Sequence, residues 1–330
     1  MSSSKGKELF ERVEKRTGAV LAAVLLLVTP LSACSAFSEP ESPAPEKAKI
    51  TVAALPTIDL APLWLAQEGG HFEAEGLQVN LKPLNSAQPP YDDMNTGKVD
   101  IVLSSYVPFI LSSSTRTQNI KLVADGSSTD KYSSAVVTVP GSPVQRVLDL
   151  PGKRVAVVGT NTIAQLLTRS VMVDHGLDDD KVEWVEMRLE DVAAALTEKR
   201  VDAAYLSEPF LTQALLSSRA SVVAGLSTGS SVDFPLTGYA ATNDWVTGNP
   251  NTLAAFRRAM AAASRDIVDR SKFEPIVVNH LKVSTDAAAL MSLPTFGAVV
   301  NPQRLQRVSD LLQTMQVTAE RFDVNPIIAR

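Results

Sequence analysis

From Lys49 onward, apolar runs of strand length alternate with stretches patterned for helices, and this alternation restricts the fold more than any other feature. The runs are Ile50–Leu55, Leu77–Leu84, Val99–Ser105, Ile120–Ala124, Ser134–Val139, Arg154–Gly159, Val182–Met187, Val201–Leu206, Ser221–Leu226 and Thr237–Thr242. Helical stretches such as Thr162–His175, Leu189–Lys199 and Pro209–Ser218 lie between them. Short buried strands joined by helices predict an α/β protein built on mainly parallel sheet. After Thr242 only helices are expected, over Asn251–Arg270, Pro275–Lys282, Asp286–Leu293 and Gln303–Val317. The 330 residues are 45% hydrophobic and 20% charged, enough to build a sizeable core in one large domain or two. With 31 basic against 36 acidic residues, the balance argues against a nucleic-acid partner. One cysteine excludes a disulfide framework, and His71, His175 and His280 lie too far apart in sequence for a metal motif.

A faint repeat runs through the alternation. Gly76-Leu77 precedes one strand and Lys98-Val99-Asp100 opens the next; Gly176-Leu177 and Arg200-Val201-Asp202 do the same later. Each triplet opens a strand that ends near serine, at Ser104-Ser105 and at Ser207. Two similar lobes are expected from this, each with its own sheet, with ligands bound outside the carboxyl ends of the strands.

The N-terminus gives the address. Lys5, Lys7, Arg12, Lys15 and Arg16 make a basic start, Gly18 to Val28 is apolar or small, and Leu31-Ser32-Ala33-Cys34 follows. A secretory signal peptide over residues 1–33 is expected. The tetrapeptide resembles the lipobox of bacterial lipoproteins, which implies cleavage before Cys34, a lipid on its thiol, and attachment to the outer face of a bacterial membrane. The competing reading is an uncut span over Thr17–Phe37, which Thr29, Pro30 and Ser32 interrupt. Residues 34–48, rich in Pro, Glu and Ser, are expected to form a flexible stalk.

Pro62-Leu63-Trp64-Leu65-Ala66-Gln67-Glu68-Gly69-Gly70-His71-Phe72-Glu73-Ala74-Glu75-Gly76-Leu77-Gln78-Val79 resembles a signature of the extracytoplasmic substrate-binding proteins of ABC importers. The branch is the one that serves nitrate, sulfonates, taurine and thiamine-pyrimidine precursors. Leu148-Asp149-Leu150-Pro151-Gly152-Lys153-Arg154-Val155-Ala156-Val157 and Val201-Asp202-Ala203-Ala204 with Glu208-Pro209 are similar to its later segments, in family order. Gly70-His71 and Pro151 depart from the pattern without threatening the fold. The resemblance implies a two-lobed periplasmic-binding-protein-like fold of type II with a central cleft. It places lobe one at 49–134 plus 238–330, lobe two at 135–237, and the crossings near Ser134–Val139 and Thr237–Ala241. It also implies a monomer without a cofactor, which captures a small organic solute, expected to be anionic, and hands it to an ABC permease and its ATPase.

Candidate ligand contacts lie at strand ends. Thr160-Asn161-Thr162 opens the helix after Arg154–Gly159, and free N–H groups with the positive end of a helix dipole suit an anion. Ser104-Ser105-Tyr106 does the same after Val99–Leu103, and Thr57 and Asp59 follow the first strand. Each of these reads equally as a plain helix cap. Glu208 sits at another helix start, where the dipole alone explains it or a ligand amine pairs with it. Tyr106, Tyr132, Phe234 and Tyr239 are the aromatics nearest loops, either pocket walls or core.

Gly225-Leu226-Ser227-Thr228-Gly229 matches G-x-S-x-G, but the residues after it do not read as the helix a nucleophile elbow requires. Enzymes on the two-lobed scaffold, among them dehydratases and pyrimidine-precursor synthases, act on cytosolic substrates and sit poorly with a signal peptide. A lipoprotein that reports ligand occupancy to a membrane receptor is the other alternative to import.

Overall fold

In a computed structural model the structure describes residues 43–86 and 88–330. The expected signal peptide, Cys34 and most of the expected stalk therefore lie outside the described residues. No helix among the described residues is long and apolar enough to cross a membrane.

Among the described residues, eleven strands form two sheets. They are β1 (Lys49–Ala54), β2 (Gln78–Pro83), β3 (Ile101–Ser105), β4 (Ile120–Ser128), β5 (Ser134–Thr138), β6 (Arg154–Val157), β7 (Glu183–Glu186), β8 (Ala203–Ser207), β9 (Ser221–Gly225), β10 (Pro235–Thr242) and β11 (Thr295–Phe296). The first ten coincide with the ten expected runs, with shorter or longer ends. β11 falls in the region expected to be wholly helical; its two residues pair with Ser128 and Ser127 at the sheet edge, too short a run to leave a periodic pattern.

Sheet order is β11-β4-β10-β3-β1-β2 in lobe one and β7-β6-β8-β5-β9 in lobe two. β1, β2 and β3 run parallel, as do β6, β7 and β8. β10 pairs antiparallel with β3 and β4, and β5 antiparallel with β8 and β9. The sheets are thus mixed rather than mainly parallel. Each sheet takes in a strand that has just crossed from the other lobe, β5 or β10, and that strand runs antiparallel to its neighbours. Sheet membership changes within residues 129–133 and 226–234, a few residues ahead of the crossings expected at 134–139 and 237–241.

The faint repeat corresponds to a repeated construction. Gly76 and Gly176 both have φ of +71°, the left-handed conformation glycine tolerates at a helix C-terminus. Asp100 accepts from the backbone N–H of Thr51 at 2.8 Å, and Asp202 from that of Arg154 at 3.0 Å. In each lobe, then, an aspartate opening one strand clamps the start of its parallel neighbour. Each is also paired with a base: Lys47 Nζ lies 2.6 Å from Asp100, and the Arg154 guanidinium 2.9 Å from Asp202.

Helices cover the sheets through apolar stripes at three- and four-residue spacing. In Pro250–Asp266 the stripe includes Leu253, Phe256, Met260 and Ala263; in Pro302–Thr314 it is Leu305, Val308 and Leu312. The single helix expected over Asn251–Arg270 ends at Asp266, and a new one, Arg270–Leu281, starts with the Asp269 carboxylate capping Ser271 N–H at 2.9 Å. Pro275, expected to open a helix, sits inside this one.

The expected stalk ends earlier than residue 48. Glu46 accepts from the N–H groups of Asn251 and Thr252 at 3.0 and 2.9 Å, and the N–H of Lys47 donates to Thr252 Oγ1 at 3.0 Å. Charged residues that look like linker composition are here a cap for the helix Pro250–Asp266 and a partner for Asp100.

Candidate functional site

A cleft with a cavity of about 100 Å³ opens where the carboxyl ends of the two parallel strand sets face each other. From lobe one come Leu55, Thr57 and Asp59 after β1, Leu84 and Ser86 after β2, Leu103, Ser104 and Ser105 at the end of β3, and Thr237 of β10. From lobe two come Val158, Thr162, Ile163 and Ala164 after β6, Leu189 after β7, and Tyr205 and Ser207 at the end of β8. Six parallel strands thus deliver their C-terminal loops to one gap, the location at which open α/β sheets bind ligands.

The polar lining is mostly hydroxyl. Among the described residues that line the cleft, Asp59 is the one carboxylate, and there is no lysine, arginine or histidine. Asp59 sits in the 3-10 turn Ile58–Leu60, which places it at the mouth of β1. Thr57 Oγ1 donates to its Oδ2 at 2.7 Å and Ser127 Oγ donates to its Oδ1. Ser127 is held in turn against Thr237 Oγ1 at 2.8 Å. Asp59 forms no ion pair among the described residues. Its charge reaches across the cleft: burial, and then the nearby Asp59 carboxylate, push the Tyr205 phenol above the ordinary tyrosine range.

Of the residues singled out from sequence, the fold brings Thr57, Asp59, Ser104, Ser105 and Thr162 to the cleft lining. Thr162 turns its hydroxyl inward, donating to the carbonyl of Gly159 at 2.7 Å instead of capping the helix Ile163–Asp174. Thr160 points away: its N–H and hydroxyl both bond Glu186, at 2.7 and 2.6 Å, and the hydroxyl and N–H together lower that carboxyl's pKa. Asn161, with φ of +53°, donates its N–H to Gln165 and borders a separate groove beside Arg169.

The other candidates lie outside that lining. Glu208 is buried, accepts from Thr212 N–H, Thr212 Oγ1 and Ser292 N–H at 3.1, 2.8 and 3.2 Å, and does not line the cleft. Burial raises its pKa against those hydrogen bonds. Tyr106 lies beneath the cleft, with its hydroxyl donated to buried Asp125 at 2.5 Å. Tyr239 is in the core, edge-on to Phe256 at 5.4 Å. Phe234 is buried in the second connection under the Arg307 guanidinium, 5.1 Å away. Tyr132 is exposed in the first connection beside Lys131. The G-x-S-x-G stretch continues as a 3-10 turn, Gly229–Ser231, with no following helix.

Tyr205, Ser207, Ser86 and Thr237 line the cleft without having been singled out. The repeat carried a signal for two of them. Ser207 ends β8 as Ser105 ends β3, and Tyr205, two residues earlier, shares its face of the strand. Thr237 had none, because its position depends on pairing with Ser105 of β3 on one side and with Ser127 of β4 on the other, where the register shifts.

Two facing α/β lobes, crossed twice by the chain and lined at their gap by strand-end loops, define a two-lobed periplasmic-binding-protein-like fold. Solved structures agree. The aliphatic sulphonate binding protein SsuA of Escherichia coli superposes with a TM-score of 0.69 at 17% identity, over 86% of this chain and 97% of that one. The alkanesulfonate-binding protein SsuA of Xanthomonas axonopodis pv. citri, bound to MOPS, gives 0.73 at 16% identity over 86% and 99%. The family model described as NMT1/THI5 like matches residues 57–271, and the chain belongs to that family. A 4-amino-5-hydroxymethyl-2-methylpyrimidine phosphate synthase from Aspergillus parasiticus is 30% identical over 100 residues, 30% of this chain. That stretch spans only 28% of the synthase.

Proposed function

We propose that this protein is an extracytoplasmic solute-binding protein that captures a small organic molecule between its lobes and delivers it to an ABC permease and its ATPase. The cleft carries the reading: residues from both lobes, at the ends of six parallel strands, converge on one small cavity. Such a site gains its full contact set only when the lobes close, which is how hinged binding proteins couple occupancy to shape. The basic and apolar N-terminus and Leu31-Ser32-Ala33-Cys34 support secretion and a lipid on Cys34, with the folded part acting as a monomer at the outer membrane face. The solute classes named by the structural relatives, together with pyrimidine-like compounds, form the first panel to test.

The short match to a synthase favours one other reading, an enzyme on the same scaffold. Against it, the match spans only 28% of the synthase, and the described cleft lining sets no lysine, histidine or cysteine beside the Asp59 carboxylate and its hydroxyls. Thermal melting of the chain with and without each panel compound separates the two. A solute that binds the folded state alone raises Tm and is recovered unchanged; recovery of a converted product instead rejects the binding-protein reading.

A further inference from the structure

We infer that the cleft selects a solute bearing a cationic, N–H-donating nitrogen, recognised by Asp59, rather than the anion expected from sequence. The inference rests on the solute-binding reading and refines it. Asp59 borders both the main cavity and a smaller one of about 50 Å³ beneath it, toward the first connection. Its two oxygens each accept one hydroxyl, from Thr57 and Ser127, and a carboxylate offers about four acceptor sites. The remaining sites have no basic side chain to serve among the described lining residues. When the lobes close and expel water, a carboxylate held this way requires a partner, because a charge removed from water without one is costly. An ammonium or amidinium supplies that partner. An anion adds a second negative charge to the same enclosed space.

The helix starts around the cavity do not reverse this balance. In the first, Ile58–Leu60 and onward, Asp59 itself occupies the first turn and Pro62 lacks an N–H. In the second, Ser105 Oγ accepts the N–H of Val107 at 3.2 Å and Pro108 again lacks one. In lobe two the starts at Ile163 and Leu189 both line the cavity without a side-chain cap, and the second carries Glu190 and Asp191 in its own first turn. The anion-binding capacity of lobe one is therefore largely consumed by its own residues. Apolar side chains beside the carboxylate, Leu55, Leu103 and Val158 among them, suit a compact hydrocarbon body attached to the nitrogen.

The test is calorimetric titration and thermal melting of the full chain with propylamine and acetamidinium, against ethanesulfonate and nitrate at matched concentration and ionic strength. The amine or amidinium is expected to bind and raise Tm, the anions to leave it unmoved. Asp59→Asn is expected to weaken the cation by roughly 30-fold or more. The wild-type comparison decides the question by itself if the variant does not fold. Binding of ethanesulfonate or nitrate in preference to the cations overturns the inference and leaves the solute-binding reading standing. Unchanged cation affinity in Asp59→Asn also overturns it. A panel in which no solute of either charge binds overturns both.

Discussion

Tyr106 shows how one side chain supports the cleft without lining it. Its hydroxyl donates to Asp125 at 2.5 Å, and Gly238 on β10 passes so close to the ring that an added Cβ would lie 2.3 Å from it. Only a residue without a side chain fits there. Burial raises the pKa of Asp125, and the phenol's hydrogen bond opposes that rise. Tyr106→Phe is expected to destabilise the protein by about 1–3 kcal/mol at pH 7, read from urea unfolding, because a buried acceptor loses its donor. The pH dependence follows from the direction of the shift. A carboxyl with a raised folded-state pKa lowers stability as pH rises through that value, and losing the phenol enlarges the shift. The deficit of Tyr106→Phe is therefore expected to shrink on acidification toward pH 4; a deficit that grows there contradicts this account. At this scale the sequence was only partly legible. Strand ends pointed to Thr57, Asp59, Ser104 and Ser105, which follow from local chain direction. They did not separate Thr162 from Thr160, two residues apart, because Glu186 on a neighbouring strand decides which one turns away.

At the scale of elements, the helix Pro250–Asp266 is completed by a residue two hundred positions earlier. Glu46 accepts from Asn251 and Thr252, filling the place of an N-cap that Asn249 leaves open. Desolvation works against the ionised form, but the N–H groups of Thr252 and Asn251 and the Thr252 hydroxyl outweigh it and lower the Glu46 pKa to about 2. A depressed carboxyl pKa stabilises the fold above the unfolded-state value and loses that contribution as pH falls toward 2. Glu46→Ala is expected to lower Tm by about 2 °C at pH 7 and to leave wild type and variant indistinguishable near pH 2. An equal offset at both pH values counts against the cap. Strands and most helices could be read from periodicity because they bury one face against their own lobe. The strap at 44–48 could not, since its partner is remote and its composition is that of a linker.

For the whole molecule, two hydrogen bonds among the described residues tie the lobes together away from the connections. Arg169 of lobe two donates to the carbonyl of Met315 in lobe one at 3.2 Å, and Ser292 N–H of lobe one donates to Glu208 of lobe two at 3.2 Å. The second connection is gripped separately: Arg307 donates to the carbonyls of Ser230, Val232 and Asp233, and Arg304 pairs with Asp233 at 2.7 Å. Parting the lobes at these two points breaks the first set and leaves the second, which joins the connection to lobe one, intact. Arg169→Ala is accordingly expected to enlarge the unliganded radius of gyration in solution scattering. It is also expected to weaken a bound solute about two- to fivefold, in proportion to the lost closed population. No change in either quantity would show that this contact does not bias closure.

The order of strands and helices, the doubling of the lobe and the carboxyl-end location of the cleft were written in the chain itself. They follow from hydrophobic period and from local signals such as Gly76 and Gly176, which act through neighbours in sequence. The mixed sense of each sheet, the docking of residues 44–48, the placing of Thr237 in the cleft and its acidic rather than basic character were decided only in three dimensions. Each depends on which distant segments meet when the chain crosses twice between its sheets, and periodicity along one strand or helix carries no record of that partner.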